Sequence, residues 1–106
     1  MILCGGFNVY PRNLEEAIYQ HPAVAEVSVI GIDDAYRGQS PKAFVKLKDG
    51  AAPFTLDELK TFLRDKLGKH EMVQALDIRA ELPKTPVGKL SKKELYEEER
   101  RKSAKG

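Results

Sequence analysis

The sequence predicts an α+β domain: a small antiparallel or mixed sheet, of about three strands plus a short N-terminal hairpin, covered by about three helices. Two stretches, Val24 to Ile32 and Lys42 to Leu47, alternate apolar with polar residues, as is typical of strands with one buried face. Phe44 departs from this pattern, because it falls on the same side as Lys42 and Lys46. Helical patterns lie around these stretches without a regular strand–helix–strand rhythm, which favours the α+β class. A chain of 106 residues is enough for one domain with one core.

The start of the chain predicts a hairpin followed by a helix. Two short runs, residues 1–4 and 7–10, flank the pair Gly5-Gly6, and extended pieces around glycines are typical of a hairpin turn. Pro11 suits the first turn of a helix, where its missing N–H needs no partner. Glu15 and Glu16 are expected to complement the positive N-terminal end of this helix, and His21-Pro22 is expected to end it.

The middle of the chain predicts a loop and a second helix. Asp33 to Pro41 contains several polar residues and Gly38, and we expect a loop there. Thr55 and Glu58 have the spacing of a capping box, in which each side chain accepts the other's backbone N–H, so a helix is expected to begin at Thr55. Gly68 is placed to end that helix.

The last third of the chain predicts a short strand and a final helix. Leu76 to Arg79 is expected to be the strand, and Ser91 with Glu94 forms a second capping box. The final helix has few apolar anchors and ends in a run of charged residues. We therefore expect a domain of residues 1–98 and a polar, frayed tail of residues 99–106.

Composition excludes several classes of protein. Apolar residues make up 42% and charged residues 32%, which fits a globular domain rather than a disordered chain. The net charge of +2 gives no reason to expect binding to nucleic acid or to a membrane surface. No apolar run approaches the roughly 20 residues of a membrane-spanning helix. The single cysteine, Cys4, cannot form an internal disulfide and fits a reducing, cytoplasmic compartment.

Conventional catalytic groupings are mostly missing from the sequence. His21 and His70 lie far apart and belong to no cluster with the spacing of metal ligands, so no metal site is expected. There is no G-x-S-x-G motif, which would mark a nucleophilic serine. Surface positions are the expectation for both histidines, and a packed side chain is the expectation for Cys4.

The segment from Leu82 to Leu90 is the best candidate for chemistry. Its two prolines and one glycine favour a stiff, exposed loop that ends at Lys89. It resembles a phosphate-binding P-loop in spacing only, because Pro83 replaces the first glycine and Leu90 replaces the Mg²⁺-binding serine or threonine. A lysine ammonium held there can neutralise charge on carboxylate and phosphate oxygens. From the residues alone, a solvated surface lysine remains the alternative. An ordinary turn likewise remains the alternative for Gly5-Gly6.

Taken together, these segments resemble one protein family. Three segments carry the resemblance: Gly5-Gly6-Phe7-Asn8-Val9-Tyr10-Pro11, the stretch from Arg37-Gly38 to Val45, and the loop Leu82–Lys89. They occur in the order and spacing typical of the C-terminal domain of adenylate-forming acyl-CoA synthetases. These are AMP-binding enzymes that include the fatty-acid–CoA ligases. The similarity extends from Ile2 to about Tyr96. Cys4 stands where serine is common and Val87 where a small polar residue is frequent, and neither change removes a catalytic group.

The resemblance implies a ligase that converts a carboxylic acid, ATP and CoA into acyl-CoA, AMP and pyrophosphate. It implies that Lys89 contacts the carboxylate and the α-phosphate during adenylation. After the domain rotates, Gly5, Gly6 and Phe7 are expected to line the channel for CoA, and Arg37 to contact the CoA nucleotide. ATP and Mg²⁺ are expected to bind mainly to an N-terminal domain of the same synthetase, and the hinge residue lies before this segment. The isolated domain is therefore expected to be inactive.

The resemblance also implies regulation. In many bacterial members of the family this lysine is reversibly acetylated by a protein lysine acetyltransferase, which makes Lys89 an expected modification site. The acyl substrate is not encoded here, and medium- or long-chain fatty acids are the expectation, with aromatic or dicarboxylic acids as alternatives. Two other interpretations stay open: the matching subdomain of a peptide-synthetase adenylation module, and a non-catalytic interaction or nucleic-acid-binding module suggested by the basic residues Arg100, Arg101, Lys102 and Lys105.

Overall fold

The computed structural model describes residues 2–4, 6–34, 38–67, 71–88 and 90–105. It contains the elements β1 (Ile2–Cys4), β2 (Phe7–Val9), α1 (Pro11–Tyr19), β3 (Val24–Asp34), β4 (Gly38–Leu47), α2 (Leu56–Leu63), β5 (Ala75–Arg79) and α3 (Lys92–Lys105). These elements confirm the predicted α+β class, with a mixed sheet, an N-terminal hairpin and three helices in the described part of the chain. None of those helices is both long enough and apolar enough to cross a membrane.

Strand β4 is the centre of the sheet. Strand β3 pairs antiparallel with it along its whole length, from Asp34 opposite Gly38 to Val24 opposite Leu47. Strand β5 pairs with it in parallel, from Ala75 opposite Lys42 to Arg79 opposite Lys46. The hairpin β1–β2 joins the sheet where Cys4 pairs with Gly38. The hairpin therefore meets β4 at the end where β4 begins.

One face of the sheet packs against α1 and α2 and forms the main core. Because successive side chains of a strand point to opposite faces, Val27 and Val29 share this face with their cross-strand partners Val45 and Ala43. The helices contribute fully or almost fully buried side chains, namely Leu14, Ala17, Ile18, Leu59 and Leu63. These side chains form the apolar side of each helix, and this side covers the sheet.

The opposite face of the sheet carries a second, smaller core under α3. Its buried members are Ile30, Phe44, Leu82 and Leu95, and we call this side of the sheet the α3 face. The prediction that β3 has one buried face was therefore wrong, since consecutive residues on its two faces are fully buried. Phe44 does lie on the side of the lysines, as its position predicted, but its side chain is fully buried there.

The loop predicted from Asp33 to Pro41 was largely wrong. Strand β3 continues to Asp34, β4 begins at Gly38, and Ser40 and Pro41 lie opposite β3 residues in the ladder; residues 35–37 lie outside the described residues. Cross-strand partners stabilise these polar residues in extended form, which local composition does not reveal. Pro41 lacks an N–H, but its carbonyl accepts a hydrogen bond from the Gln74 N–H at 2.9 Å.

The predicted capping box at the start of α2 is confirmed. Thr55 Oγ1 accepts the Glu58 N–H at 3.1 Å, and Glu58 Oε1 accepts the Thr55 N–H at 3.0 Å. Helix α3 begins at Lys92, directly after Ser91, where the second helix start was expected. It continues to Lys105, through the segment for which fraying was predicted.

Glu15 has a different role from the predicted one. It lies beyond the first turn of α1, and its Oε2 accepts the backbone N–H of Val29 at 2.9 Å. The same oxygen lies 3.0 Å from Nζ of Lys92 at the start of α3. Since β4 pairs along the other side of β3, this carboxylate covers the unpaired edge of β3 at Val29 and connects the helices of both faces.

Replacing Leu95 with Ala is expected to lower the free energy of unfolding by about 2–4 kcal/mol, because it removes a fully buried side chain from the second core. Urea denaturation of this chain would measure the change. Lys93→Ala on the same helix is the control, since Lys93 is exposed and its loss is expected to cost less than about 0.5 kcal/mol. Equal stability of the two variants would contradict the second core.

Candidate functional site

The loop from Leu82 to Leu90, hereafter the lysine loop, is anchored at both ends in the second core. Leu82 is buried among Ile30, Phe44 and Leu95, and the half-buried Leu90 packs against the same cluster. The loop therefore starts and ends on the α3 face of the sheet. Apolar packing holds its base against the sheet, and its middle projects away.

Backbone hydrogen bonds close the lysine loop. Lys84 and Leu90 form an isolated antiparallel bridge, and the Ser91 N–H donates to the Pro83 carbonyl at 2.8 Å. At the tip, the Gly88 N–H donates to the Thr85 carbonyl at 2.9 Å. These bonds confine the chain between Lys84 and Leu90 to a short, closed loop.

The tip of the lysine loop is exposed. Gly88 has a φ of +84°, a conformation that glycine adopts without strain, and no heavy atom lies within 4 Å of the position a Cβ would take. Val87 is 79% exposed. Lys89 lies outside the described residues; Gly88 at the tip precedes it and the anchored Leu90 follows it in the chain.

Two ion pairs fasten the segment that leads into the loop, one on each side of Leu82. Before it, Lys46 Nζ lies 3.0 Å from Glu81 Oε1, and after it, Lys84 Nζ lies 3.1 Å from Glu26 Oε2. The hydrogen bond between the first pair raises the pKa of Lys46 and lowers the pKa of Glu81, so both groups stay charged over a wide pH range.

Helix α3 is held over the same face by charged groups around Phe44. The Lys42 ammonium and the Arg79 guanidinium lie 5.1 and 4.9 Å from the centre of the Phe44 ring. Lys42 pairs with Glu99, and Arg79 Nη1 lies 2.8 Å from Glu98 Oε2. Hydrogen bonding to Glu98 raises the pKa of Arg79. The sequence analysis missed these contacts; the only signal for them was the lysine and phenylalanine side by side on one face of β4.

The hairpin is the second candidate segment. Cys4 pairs with Phe7, which leaves Gly5-Gly6 as a two-residue turn. Gly6 is exposed with a φ of +83°, and no heavy atom lies within 4 Å of the position of a Cβ. Gly5 lies outside the described residues, as does Arg37, and of Phe7 the structure describes the backbone.

The hairpin is seated on the sheet through Ile2 and Val9, which pair with each other and are buried. Gly31 in β3 makes room for Ile2, because a Cβ on Gly31 would come within 3.0 Å of the Ile2 side chain. The turn thus projects from a fixed base, as the lysine loop does.

The structure does not bring the two candidate segments together. The hairpin meets β4 at Gly38, whereas the ion pairs of the lysine loop lie at Lys46 and its cross-strand partner Glu26. At about 3.3 Å per residue, Gly38 and Lys46 are roughly 26 Å apart along β4. The two segments therefore occupy opposite ends of the central strand.

A surface cleft that the sequence analysis missed lies between the end of the sheet and α3. Its volume is about 300 Å³, and its lining combines side chains of both charges with an aromatic ring: Ile32, Asp33, Gln39, Tyr96, Glu99 and Arg100. Gln39 is two positions from Arg37 in the chain. The cleft lies at the hairpin end of β4.

His21 is half-buried rather than at the open surface, where both histidines were expected. Its Nδ1 accepts the Ala23 N–H at 3.1 Å, and its ring packs against Phe54 and Phe62 with centroid distances of 4.6 and 4.9 Å. His70 lies outside the described residues. Across the part of the chain that the structure describes, no three or more His, Cys, Asp or Glu side chains form a group that could hold a metal ion.

Comparisons with known proteins agree with this geometry. The model of the AMP-binding enzyme C-terminal domain matches residues 13–89. A long-chain-fatty-acid–CoA ligase of Bacillus subtilis (strain 168) is 48% identical over 99 residues, which cover 93% of this chain and 18% of the relative.

Solved structures give the same result. An acyl-CoA synthetase of Brucella canis has a TM-score of 0.89 and 36% identity over 96% of this chain and 19% of its own. ATP-bound MatB from Rhodopseudomonas palustris has a TM-score of 0.84 and 32% identity over 91% of this chain and 19% of its own. The chain thus spans about a fifth of the length of these relatives. The family model matches most of the chain, so the resemblance inferred from the sequence is confirmed: the chain belongs to the family of AMP-binding enzyme C-terminal domains.

Proposed function

We propose that this chain acts as the C-terminal domain of an ATP-dependent acyl-CoA ligase and supplies the lysine of its adenylation step. The observation that carries the proposal is the closed lysine loop, which is anchored in a core at its base and exposed at its tip, next to Lys89. The chain spans about a fifth of its relatives. An N-terminal domain of the same synthetase must therefore supply the substrate pockets, and the isolated chain is expected to be inactive.

In the adenylation step, a carboxylate oxygen of the acid attacks the α-phosphorus of ATP, and the bond to pyrophosphate breaks. Both reactants are anions, so the transition state gains from a cation placed between them. The Lys89 ammonium is the group we assign to this role. The lysine loop contains no Asp or Glu, so it holds no carboxylate that would compete for this ammonium.

ATP enters the reaction as a substrate, and the similar MatB structure is an ATP-bound one. Mg²⁺ accompanies ATP in the proposed reaction. The described residues offer no cluster of ligands for a metal ion, so we assign Mg²⁺ to the N-terminal domain.

In the thioester step, the CoA sulfur attacks the carbonyl carbon of the acyl-adenylate, and AMP leaves. We assign Gly5, Gly6 and Phe7 to the channel that holds the pantetheine arm of CoA. The exposed turn at Gly6 supports this, because a turn without side chains can lie against a narrow ligand. A separation of roughly 26 Å along β4 supports domain rotation, since one orientation cannot bring both segments to the same reacting carbon.

Arg37 is proposed to contact the CoA nucleotide. The support is the cleft that begins two residues further along, at Gln39. Arg100 in its lining is suited to phosphate, and Tyr96 to a base; of the two carboxylates that also line it, Asp33 and Glu99, the second is paired with Lys42.

The acyl substrate we propose is a long-chain fatty acid. The support is the Bacillus subtilis relative at 48% identity, whose name specifies that substrate. The same relative favours a CoA ligase over a peptide-synthetase module. Because a reaction between ATP, CoA and fatty acid is cytoplasmic chemistry and Cys4 is a single cysteine, we place the protein in the cytoplasm.

Acetylation of Lys89 is the regulation we propose. The exposed tip at Val87 and Gly88 supports access of a protein lysine acetyltransferase. Acetylation removes the positive charge, and with it the stabilisation of the anionic transition state.

In the full-length synthetase, Lys89→Ala is expected to lower ATP–pyrophosphate exchange by roughly 100-fold or more, because a charge-stabilising group at the reacting centre is removed. Thioester formation from pre-made acyl-adenylate is expected to stay within about twofold. Lys93→Ala, an exposed lysine on α3, is the control. Unchanged pyrophosphate exchange in Lys89→Ala would disprove the assignment.

Gly6→Ala is expected to slow the thioester step by about tenfold and to spare adenylation, because the added methyl group narrows the CoA channel. Gly50→Ala is a matched control: Gly50 also has a positive φ, of +78°, and open space around its Cβ position. Each substitution strains the backbone by about 1 kcal/mol, so both variants should lose similar thermal stability. A thioester step slowed equally in both would refute a role of the hairpin.

Incubation with acetyl-CoA and a protein lysine acetyltransferase is expected to modify Lys89 before other lysines. Mass spectrometry of the peptides would measure the site, and pyrophosphate exchange should fall in proportion to the modified fraction. Exposed Lys48 and Lys93 serve as internal references. Modification spread evenly over the lysines would argue against a specific regulatory site.

A further inference from the structure

Four charged side chains of alternating sign cross the α3 face beneath the lysine loop. Glu81 pairs with Lys46, Lys46 lies opposite Glu26 in the β3–β4 ladder, and Glu26 pairs with Lys84. Of the two outer members, Glu81 directly precedes the lysine loop and Lys84 lies in its first part, and the two inner ones belong to the sheet. The entry segment is therefore fastened to neighbouring strands on both sides of Leu82.

The two ion pairs differ in burial. Glu81 is 70% exposed, so its pair with Lys46 is mostly solvated. Glu26 and Lys84 are 25% and 38% exposed. Glu26 Oε1 is buried and has no hydrogen-bond partner among the described residues, whereas Oε2 lies 3.1 Å from the Lys84 ammonium. Lys84 thus forms the salt bridge of a half-buried carboxylate.

Lys84 is also the residue whose backbone bears most directly on the position of Lys89. It pairs with Leu90, which follows Lys89 in the chain. Packing of Leu82 and Leu90 on the second core is not directional, so it holds the loop against the sheet without fixing it along the surface. The salt bridge to Glu26 is a point contact, and it fixes the position of the loop along the surface of the sheet.

The salt bridge to Glu26 also gives the two lysines of the loop different electrostatic surroundings. Lys84 and Lys89 are the two cations of the lysine loop, and Glu26 neutralises the first of them. An anionic substrate that approaches the loop is therefore attracted more strongly to Lys89 than to Lys84.

From these contacts we propose that Glu26 and Lys84 are positioning residues for the adenylation step: their ion pair fixes the base of the lysine loop so that Lys89 meets the reacting oxygens. This inference rests on the proposed function of Lys89. Neither residue is assigned a contact with the substrate.

The test uses the full-length synthetase and compares two substitutions of the same kind. Lys84→Met breaks the pair inside the loop, and Lys46→Met breaks the pair before Leu82, on the same face of the sheet. Lys84→Met is expected to lower ATP–pyrophosphate exchange by roughly 10- to 100-fold, because a displacement near 1 Å has effects of that size. In Lys84→Met, thioester formation from pre-made acyl-adenylate is expected to stay within about twofold of the rate of the unsubstituted enzyme. In Lys46→Met, the rates of both half-reactions are expected to stay within about twofold of that reference.

Two further variants separate positioning from folding. Lys84→Arg keeps the ion pair and is expected to retain most of the exchange activity. Glu26→Gln is expected to lower exchange as Lys84→Met does, and the double variant Glu26→Gln/Lys84→Met to lower it no further, because both remove one interaction. In Lys84→Met, Glu26 still lies opposite Lys46, which favours a folded variant, and thermal unfolding would check this.

Equal effects of Lys84→Met and Lys46→Met would overturn the proposal, and so would equal loss of both half-reactions or no loss of either. These outcomes are distinguishable from failure of the proposed function. In that case Lys89→Ala itself would leave pyrophosphate exchange intact, whereas failure of the positioning role alone would leave the Lys89→Ala defect in place.

Discussion

The arrangement of the α3 face depends on the burial of Phe44 in the middle of the central strand. Its ring is fully buried, with Lys42 and Arg79 over it, and each cation is paired with a glutamate of α3. A cation over an aromatic ring contributes on the order of 1 kcal/mol, and pairing offsets part of the cost of partly buried charge. Leu82 and Leu95 complete the same cluster, so one side chain organises both the helix and the base of the lysine loop.

The strand order sets the distance between the hairpin and the lysine loop. Strand β4 pairs with β3 on one side and with β5 and β1 on the other, so it connects every strand except β2 directly. The hairpin projects from one end of β4, and the lysine loop is fastened near the other end. Because a fully paired strand in the middle of a sheet bends little, the distance between the two segments is set by the fold itself. A rotation of the whole domain can then exchange one segment for the other without internal rearrangement.

Local signals were predictable from the sequence, and long-range ones were not. The hairpin at Gly5-Gly6, the helix starting at Pro11 and the capping box at Thr55 depend on neighbours within a few residues, and the structure has all three elements there. The extended Asp33–Pro41 segment and the second core depend on partners distant in the chain, such as Leu95 for Phe44. Glu15 was assigned to the N-terminal end of α1. In the structure it accepts the Val29 N–H, which is left without a strand partner because β3 lies at the edge of the sheet, and local sequence does not reveal this strand order. The candidate site was identified from the order of several motifs along the chain, because the spacing within one motif does not distinguish Lys89 from the other lysines.

The proposed rotation also restricts how much apolar area the surface of the domain can expose. A domain that leaves one position and enters another exposes in turn each surface that the N-terminal domain covers, so large apolar patches would favour aggregation or one fixed orientation. Among the described residues, the large exposed hydrophobic side chains are few and scattered: Tyr10, Tyr19, Val87 and Tyr96. Val87 lies at the tip of the lysine loop, and Tyr10 directly follows the hairpin. Among the described residues, each candidate segment thus has an exposed apolar side chain in it or directly beside it, which is suited to contact with the N-terminal domain in the proposed rotation. The α3 face, in contrast, is held together by ion pairs, and these stay satisfied within the domain in either orientation.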